Sequence, residues 1–256
     1  MSLALKRTFP HLYTFLKKYE KHMPATIRLW DEKKYTVNLQ IVSLLNYWKH
    51  YPRLKRESDI VFSFYNGGDF IDVGAHHGSY AFLLAPKATI GDTFVFCEPN
   101  TSCKKNLLDN LSVLKKIFKH IKLEFVFDPI SNGKLVNEQK TDYGHLVYSN
   151  EIESKVSNNN EKSIKSVQID GVVEKLNLNP KFIKIDVEGA EYEVLEGAKN
   201  TLKNYKALIM LEKHPTLIPK NITFEKIDEL LNLAGYEKKC LIFQDDISIN
   251  EIWKKN

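Results

Sequence analysis

Residues Asp69 to Tyr80, Asp-Phe-Ile-Asp-Val-Gly-Ala-His-His-Gly-Ser-Tyr, constrain the fold more than any other stretch of the chain. Phe70 to Val73 has the length and the Val/Ile content of a buried strand. Gly74 and Gly78 then turn the chain into a helix-like run, Ser79 to Leu84. A strand that turns through glycines into a helix points backbone N–H groups and a helix N-terminus at whatever binds there. Asp72 stands where its carboxylate caps that turn or faces the ligand. Roughly twenty residues past Gly78, a second apolar run, Thr93 to Cys97, ends in Glu98-Pro99-Asn100, and an acid at the tip of the neighbouring strand suits the two hydroxyls of an adenosine ribose. An ordinary strand–turn–helix with a buried aspartate explains the turn but not an acid at that distance.

The turn also narrows the nucleoside. A dinucleotide fingerprint places a second glycine two residues after the first, so that the backbone can approach a pyrophosphate. Here that position is His76, whose side chain crowds the approach, and a nicotinamide dehydrogenase is disfavoured. S-adenosylmethionine carries an adenosine and a ribose but no phosphate. It suits the acid-led turn Asp72-x-Gly74-x-x-x-Gly78 better.

From Asp69 onward strands and helices alternate. Strands are expected at 70–73, 94–97, 123–127, 164–168, 182–186 and 207–211, with two short terminal strands at 239–243 and 251–254. Helices are expected at 79–84, 101–119, from Asp170 as cap to Leu176, at 188–202 and at 224–233, stopped by Gly235. The polar stretch 132–163 is too long for a structureless loop, so a hairpin near His145–Tyr148 with a mobile tip at Asn158–Asn160 is expected. Repeated β-α-β units mean an α/β fold, a Rossmann-like parallel sheet with helices on both faces. In such sheets the ligand lies beyond the carboxyl ends of the strands.

Those strand ends are acidic: Asp72, Glu98, Asp128, Asp186 and Glu212. Asp186 and Lys184 share one face of their strand. Glu188 is placed at the start of the next helix, where the helix dipole stabilises its charge. The following strand runs into Glu212-Lys213-His214-Pro215, so polar groups from two adjacent strand ends converge. Asp186 and Glu188 taken alone could simply cap a helix; the whole set at one ligand edge points to chemistry.

At 256 residues the chain can bury a sizeable core. Two regions are distinguished, a helical extension at 1–60 and a cofactor-binding domain at 61–256. In the extension, Leu5, Phe9, Leu12, Tyr13, Leu16 and Tyr19 recur at helical spacing among lysines. This suits a helix packed on the domain better than an interfacial membrane helix. A second helical run is read over Val37–Tyr47, and Pro52 is taken to break the chain. The segment covers the mouth of the site or forms a homo-oligomer interface. The net charge of +5 permits anionic partners without demanding them. Cys97, Cys103 and Cys240 match no zinc or C-x-x-C spacing and read as reduced thiols of a cytoplasmic protein. No apolar stretch approaches a membrane span.

Three segments, FIDVGAHHGSYAF (70–82), VFCEPN (95–100) and FIKIDVEGAEYEVLEGA (182–198), followed by IMLEKHP (209–215), resemble the FkbM family of S-adenosylmethionine-dependent methyltransferases. The resemblance runs from about Ile60 to Pro215, and KIDVEGAE is its most specific part. It implies a class I methyltransferase fold, a seven-stranded, mostly parallel sheet whose last strand pair is antiparallel. It also implies O-methylation of a hydroxyl on a sugar, glycan or glycosylated metabolite. On this basis Asp72, Gly74, Ala75 and Gly78, with His76, His77 and Ser79 of the same turn, shape the methionine end of the cofactor pocket. Glu98, with Pro99 and Asn100, holds the ribose, and Asp128 reaches the adenine amine. Asp186, Glu188, Lys184, Glu212 and His214 line the reacting edge. The family's commoner pattern has an Asn-led pair where this chain has His76-His77.

Methyl transfer to a hydroxyl needs an oxygen held in line with the methyl carbon and a group to take its proton. The candidates, in order, are His214, Asp186 and Glu212, with His214 favoured because an imidazole titrates near neutrality. Asp186, Glu188, Glu212 and His214 carry donor atoms that Mg²⁺ or Mn²⁺ accepts. Their spacing matches no ligand motif, and no metal is assigned. A nucleic-acid methyltransferase is disfavoured. The turn after the 182–186 strand reads Asp186-Val187-Glu188-Gly189 rather than the Pro-Pro-aromatic turn of amine-modifying enzymes, and no Pro-Cys nucleophile pair exists. An acidic edge also repels a phosphate backbone. RNA, other small molecules and a non-catalytic nucleotide-binding module stand as alternatives.

Overall fold

The computed structural model describes residues 10–140, 146–149 and 163–255. The chain opens with helix α1 (Pro10–Tyr19), an antiparallel hairpin of β1 (Pro24–Arg28) and β2 (Lys34–Asn38), and helices α2 (Leu39–His50) and α3 (Pro52–Phe64). The hairpin is a correction to the expected all-helical segment. Val37, read as helical, lies in β2, and the reversal is made by Glu32 at φ 63. Pro52 starts a helix rather than breaking one. Its missing N–H costs nothing at the first helical position, where no intrahelical acceptor exists. Of the side chains that carried the α1 amphipathic pattern, those of Leu5, Phe9, Leu12, Tyr13 and Leu16 lie outside the described residues, as does the Asn158–Asn160 tip, and Tyr19 is exposed.

Asn38 joins hairpin to helix. Its Oδ1 accepts from the Ile41 N–H at 2.9 Å, and its Nδ2 donates to the Lys21 carbonyl at 3.0 Å. Asn38→Ala should therefore cost about 1 kcal/mol, seen as a lower urea midpoint with an unchanged slope.

The remainder is β3 (Asp69–Val73), α4 (Ser79–Leu84), β4 (Thr93–Cys97), α5 (Thr101–Ile117), β5 (Lys122–Val126), β6 (Leu135–Lys140), β7 (Leu146–Ser149), β8 (Ser163–Lys165), α6 (Ile169–Leu176) and β9 (Pro180–Asp186). There follow α7 (Glu191–Glu196), α8 (Lys199–Asn204), β10 (Leu208–Lys213), α9 (Phe224–Leu233), β11 (Tyr236–Gln244) and β12 (Ile249–Lys255). The central sheet has seven strands in the order β11-β12-β10-β9-β3-β4-β5. Neighbours from β10 to β5 are parallel, and β12 runs antiparallel to both β10 and β11. This is the α/β, mostly parallel architecture expected. The polar stretch forms a small sheet, β7-β6-β8, containing the expected hairpin.

Two helix expectations are corrected. The run expected at 188–202 is two helices, because Gly197 packs where an added Cβ would lie 2.1 Å from the Ser131 carbonyl oxygen. Asp170 does not cap the helix to Leu176. It lies inside α6, and its carboxylate accepts from the Asn200 and Thr201 N–H groups at 3.0 and 2.7 Å, capping α8 instead.

Strand alternation divides the core in two. Ile71, Val73, Val95, Ile183, Ile185, Ile209 and Leu211 face one cluster, with α6 to α9. Phe70, Phe94, Phe96, Phe182, Leu208 and Met210 face the other, together with Ile27, Leu29, Val37, Ile41, Leu45 and Val61 of the N-terminal segment. Phe70 and Phe182 stack at 5.4 Å between centroids, and Phe70 meets Phe94 edge-on at 5.3 Å. The same alternation puts Asp72, Lys184 and Glu212 on this second face. The polar strand ends are thereby roofed by α3.

Candidate active site

The chain leaves β3 for β4 on one side and returns to β9 on the other, so a crevice opens between the carboxyl ends of β3 and β9. A cleft of ≈ 370 Å³ lies there. Gly74 lets its floor form: its φ is +81°, and an added Cβ would lie 1.8 Å from the Asp186 carbonyl oxygen. Gly74 and Ala75 N–H both donate to the Cys97 carbonyl, at 2.9 and 3.1 Å, tying the turn to the end of β4.

Glu98 completes this half. One carboxylate oxygen accepts the His76 N–H at 2.8 Å and the other the Asn100 N–H at 2.9 Å. A carboxylate has about four lone-pair directions. Two remain for further donors. Gly74, His76, Glu98, Pro99 and Asn100 all line the cleft, as do Cys97, Ser102, Cys103, Pro129 and Ile130, which the sequence did not single out.

Other expected cofactor residues do not reach it. Asp72 neither caps the turn nor faces the cleft: it is 0% exposed beneath it, with Lys184 Nζ 3.5 Å from Oδ1. Burial pushes its carboxyl up to about 6, against the pull of Lys184. Ala75, His77, Gly78 and Ser79 belong to the turn behind the lining; the side chain of Asn110 donates to the His77 carbonyl at 2.9 Å. Asp128 is exposed past the end of β5, and Pro129 and Ile130 line the cleft in its place.

The opposite wall is Asp186, Val187, Glu188 and Ala190. Glu188 is not at a helix N-terminus. It sits in the turn at φ 54, and α7 begins three residues later, so the dipole argument passes to Glu191. Glu191 is 0% exposed. Its Oε1 accepts from the Gly189 N–H at 3.0 Å and lies 2.8 Å from His214 Nδ1. His214, itself buried, presents Nε2 to Asp186 Oδ1 at 3.7 Å, Glu188 Oε2 at 3.8 Å and Glu212 Oε1 at 4.0 Å.

Cross-strand register explains this convergence. Asp72 pairs with Lys184 and Lys184 with Met210 in one row; Asp186 pairs with Glu212 and Glu212 with Asn250 in the next. Lys184 Nζ donates to the Gly74 carbonyl at 2.9 Å and lies 3.1 Å from Asp186 Oδ2. Arg53 of α3 donates to Glu212 Oε1 at 2.8 Å and also bonds the Ser248 hydroxyl. Glu57 of the same helix accepts from the Tyr80 hydroxyl and, at 2.7 Å, from Asn250 Nδ2. Arg53 and Glu57 sit in a charged run that reads as a solvated helix face, and nothing in the sequence marks them. Glu191 was legible, since it belongs to the KIDVEGAE segment.

Electrostatics follow from burial and these pairs. Burial works against the Lys184 charge, but Asp186 and Asp72 outweigh it and raise its pKa. Burial works to raise Asp186, and Lys184 with His214 holds it below the usual carboxylate range. Burial, with Asp186 and Glu57 nearby, pushes Glu212 up to about 7. Burial lowers His214, but the Glu191 hydrogen bond and charge, with Asp186 and Glu188, raise it to about 9. The near-neutral imidazole that recommended His214 as a base is therefore not what this site provides.

The chain resembles known methyltransferases. It is 28% identical over 153 residues to the hexuronic acid methyltransferase AglP of Haloferax volcanii, a match covering 59% of this chain and 58% of that protein. The match thus spans less than two thirds of that relative. Among solved structures, the methyltransferase FkbM of Methylobacillus flagellatus KT aligns with 98% of this chain and 60% of its own, at 15% identity and a TM-score of 0.47. The fibrillarin pre-rRNA processing protein of Methanococcus jannaschii aligns with 91% of this chain and 84% of its own, at 12% identity and a TM-score of 0.47. The family model for the methyltransferase FkbM domain matches residues 72–238. Those residues take in every side chain that lines the cleft and both strand ends that carry its acids, and on that match the chain belongs to the FkbM methyltransferase family.

Proposed function

We propose that the protein transfers a methyl group from S-adenosylmethionine to a hydroxyl of a sugar, glycan or glycosylated metabolite. The observation that carries this reading is the pairing of Glu98 with the Gly74 turn on one wall of a single cleft and the acids of β9 on the other. The residues fit the cofactor. Glu98 keeps lone pairs for two ribose hydroxyls, and His76 lines the cleft where a pyrophosphate would need open backbone. S-adenosylmethionine, when bound, supplies a methyl on a sulfonium sulfur, which keeps the electron pair of the broken bond.

The chain's own residues do the rest. The acceptor oxygen lies against the Asp186 and Glu188 wall, with His214 buried behind it, and its proton passes to a strand-end carboxylate, Asp186, Glu188 or Glu212. His214, fixed through Nδ1 by Glu191, presents Nε2 to all three. Holding the oxygen in place is worth ~7–11 kcal/mol of the barrier, and the proton acceptor adds about 10²–10⁴ in rate. The sugar class is supported by the name of the AglP relative and by an acidic wall that disfavours a nucleic-acid backbone.

Calorimetric titration tests this directly. S-adenosylmethionine and its demethylated product should bind in the micromolar range and NAD should not. Glu98→Ala should weaken S-adenosylmethionine by about 2–3 kcal/mol, roughly 30–150-fold, because a charged acceptor of hydrogen bonds is lost. Unchanged affinity in that variant would remove the ribose assignment, and binding of NAD alone would overturn the methyltransferase chemistry proposed here.

A further inference from the structure

Three donor atoms at the acceptor wall, from Asp186 and Glu188 in its lining and from His214 buried behind them, all lie within 4.8 Å of one another. His214 Nε2 is 3.7 Å from Asp186 Oδ1 and 3.8 Å from Glu188 Oε2. Ligands bound to one small divalent ion at about 2.1 Å stand roughly 3–4 Å apart. Both distances to His214 Nε2 already fall in that range.

The support behind the histidine is an independent feature. A metal-ligating histidine almost always gives its other ring N–H to a carboxylate or carbonyl, which fixes the tautomer and turns the ring. His214 Nδ1 lies 2.8 Å from Glu191 Oε1, and Glu191 is fully buried. The other Glu191 oxygen has no hydrogen-bond partner among the described residues, so this carboxylate is committed to the ring and the Gly189 N–H. Asp186 is arranged in the same way. Lys184 occupies Oδ2 at 3.1 Å and leaves Oδ1 turned toward His214. The wall brings together four carboxylates, Asp186, Glu188, Glu191 and Glu212, with Lys184 paired to Asp186 and Arg53 to Glu212.

We propose that Asp186 Oδ1, Glu188 Oε2 and His214 Nε2 bind one divalent cation of the Mn²⁺ class on the acceptor wall. Two hard oxygens suit Mg²⁺ or Mn²⁺, and the imidazole tips the choice to Mn²⁺. Three protein ligands leave neighbouring positions for an acceptor with two adjacent oxygen donors, a vicinal diol or a hydroxy acid. With Asp186 and Glu188 engaged, Glu212 is the carboxylate that takes the hydroxyl proton. This assignment of the acceptor rests on the methyl-transfer reading; the cation site itself does not.

The test is a titration of the full chain with MnCl₂, with free Mn²⁺ read by electron paramagnetic resonance and S-adenosylmethionine affinity read separately by calorimetry. One Mn²⁺ should bind per chain, and both Glu188→Gln and His214→Gln should weaken it at least tenfold while S-adenosylmethionine binding survives. Glu174→Gln, distant on α6, should leave it unchanged. No saturable binding near one equivalent, or wild-type binding in both site variants, would overturn the proposal. Mn²⁺ binding without S-adenosylmethionine binding would keep the site and sink the methyl-transfer reading. The reverse pattern would sink the site and keep the reading.

Discussion

Lys184→Met should destabilise the protein by about 3–5 kcal/mol, the loss expected when one partner of a buried ion pair is removed. The reason is Asp72. Its carboxylate is 0% exposed, accepts no hydrogen bond among the described residues, and has Lys184 as its neighbouring cation at 3.5 Å. Urea unfolding at pH 8 should show the full loss. At pH 5 the loss should be smaller, and the sign follows from the proton. Burial already raises the Asp72 carboxyl in the folded state to about 6, above its value in the unfolded chain, so protonation favours the fold. Removing Lys184 raises it further, and a proton taken up below that value relieves the unpaired charge. Asp72→Asn placed in the Lys184→Met background should restore part of the loss. A wild-type midpoint in Lys184→Met would show that the pair contributes nothing.

Gly74→Ala should abolish S-adenosylmethionine binding and lower the melting temperature. The φ of +81° alone costs about 1–2 kcal/mol for a residue with a Cβ. Steric contact costs more: the new carbon would lie 1.8 Å from the Asp186 carbonyl oxygen, a backbone atom that no rotamer change moves aside. The turns after β3 and β9 must then separate, which displaces both walls of the cleft together. Gly91→Ala tells the dihedral effect from the steric one. Its φ is +98°, and nothing lies within 4 Å of its added Cβ. It should show the dihedral cost with cofactor affinity intact. If the two alanine variants behaved alike, crowding against Asp186 would not be the cause.

The sheet was legible because its strands carry Val/Ile-rich runs that end in acids, and because the glycine turn at Gly74 has few conformational solutions. The hairpin at Pro24–Asn38 was not. Its reversal through Trp30-Asp31-Glu32-Lys33 lacks the Asn-Gly or Asp-Gly pair that marks a tight turn. The break at Gly197 depends on the distant Ser131 carbonyl, so periodicity runs through it unaltered. On the site, the residues at the cleft surface, Gly74, Glu98, Asp186 and Glu188, could be read from strand ends. Asp72 was misplaced because the strand carries it to the face under α3, one residue before the turn. Arg53 and Glu57 were missed because their partners lie 159 and 193 residues away, and a charged helix face gives no sign of what will cover it.

The arrangement around Glu212 ties the acceptor wall to residues outside the cleft. Besides His214, its partners Arg53, Ser248 and Asn250, and Glu57 behind them, fall outside residues 72–238, whereas every cleft-lining residue falls inside. The part that matches the family model is thus braced by residues on both sides of the match. Substitutions at Arg53 or Asn250 would reach the support beneath the acceptor wall and leave the Glu98 turn, held by the His76 and Asn100 N–H groups, in place.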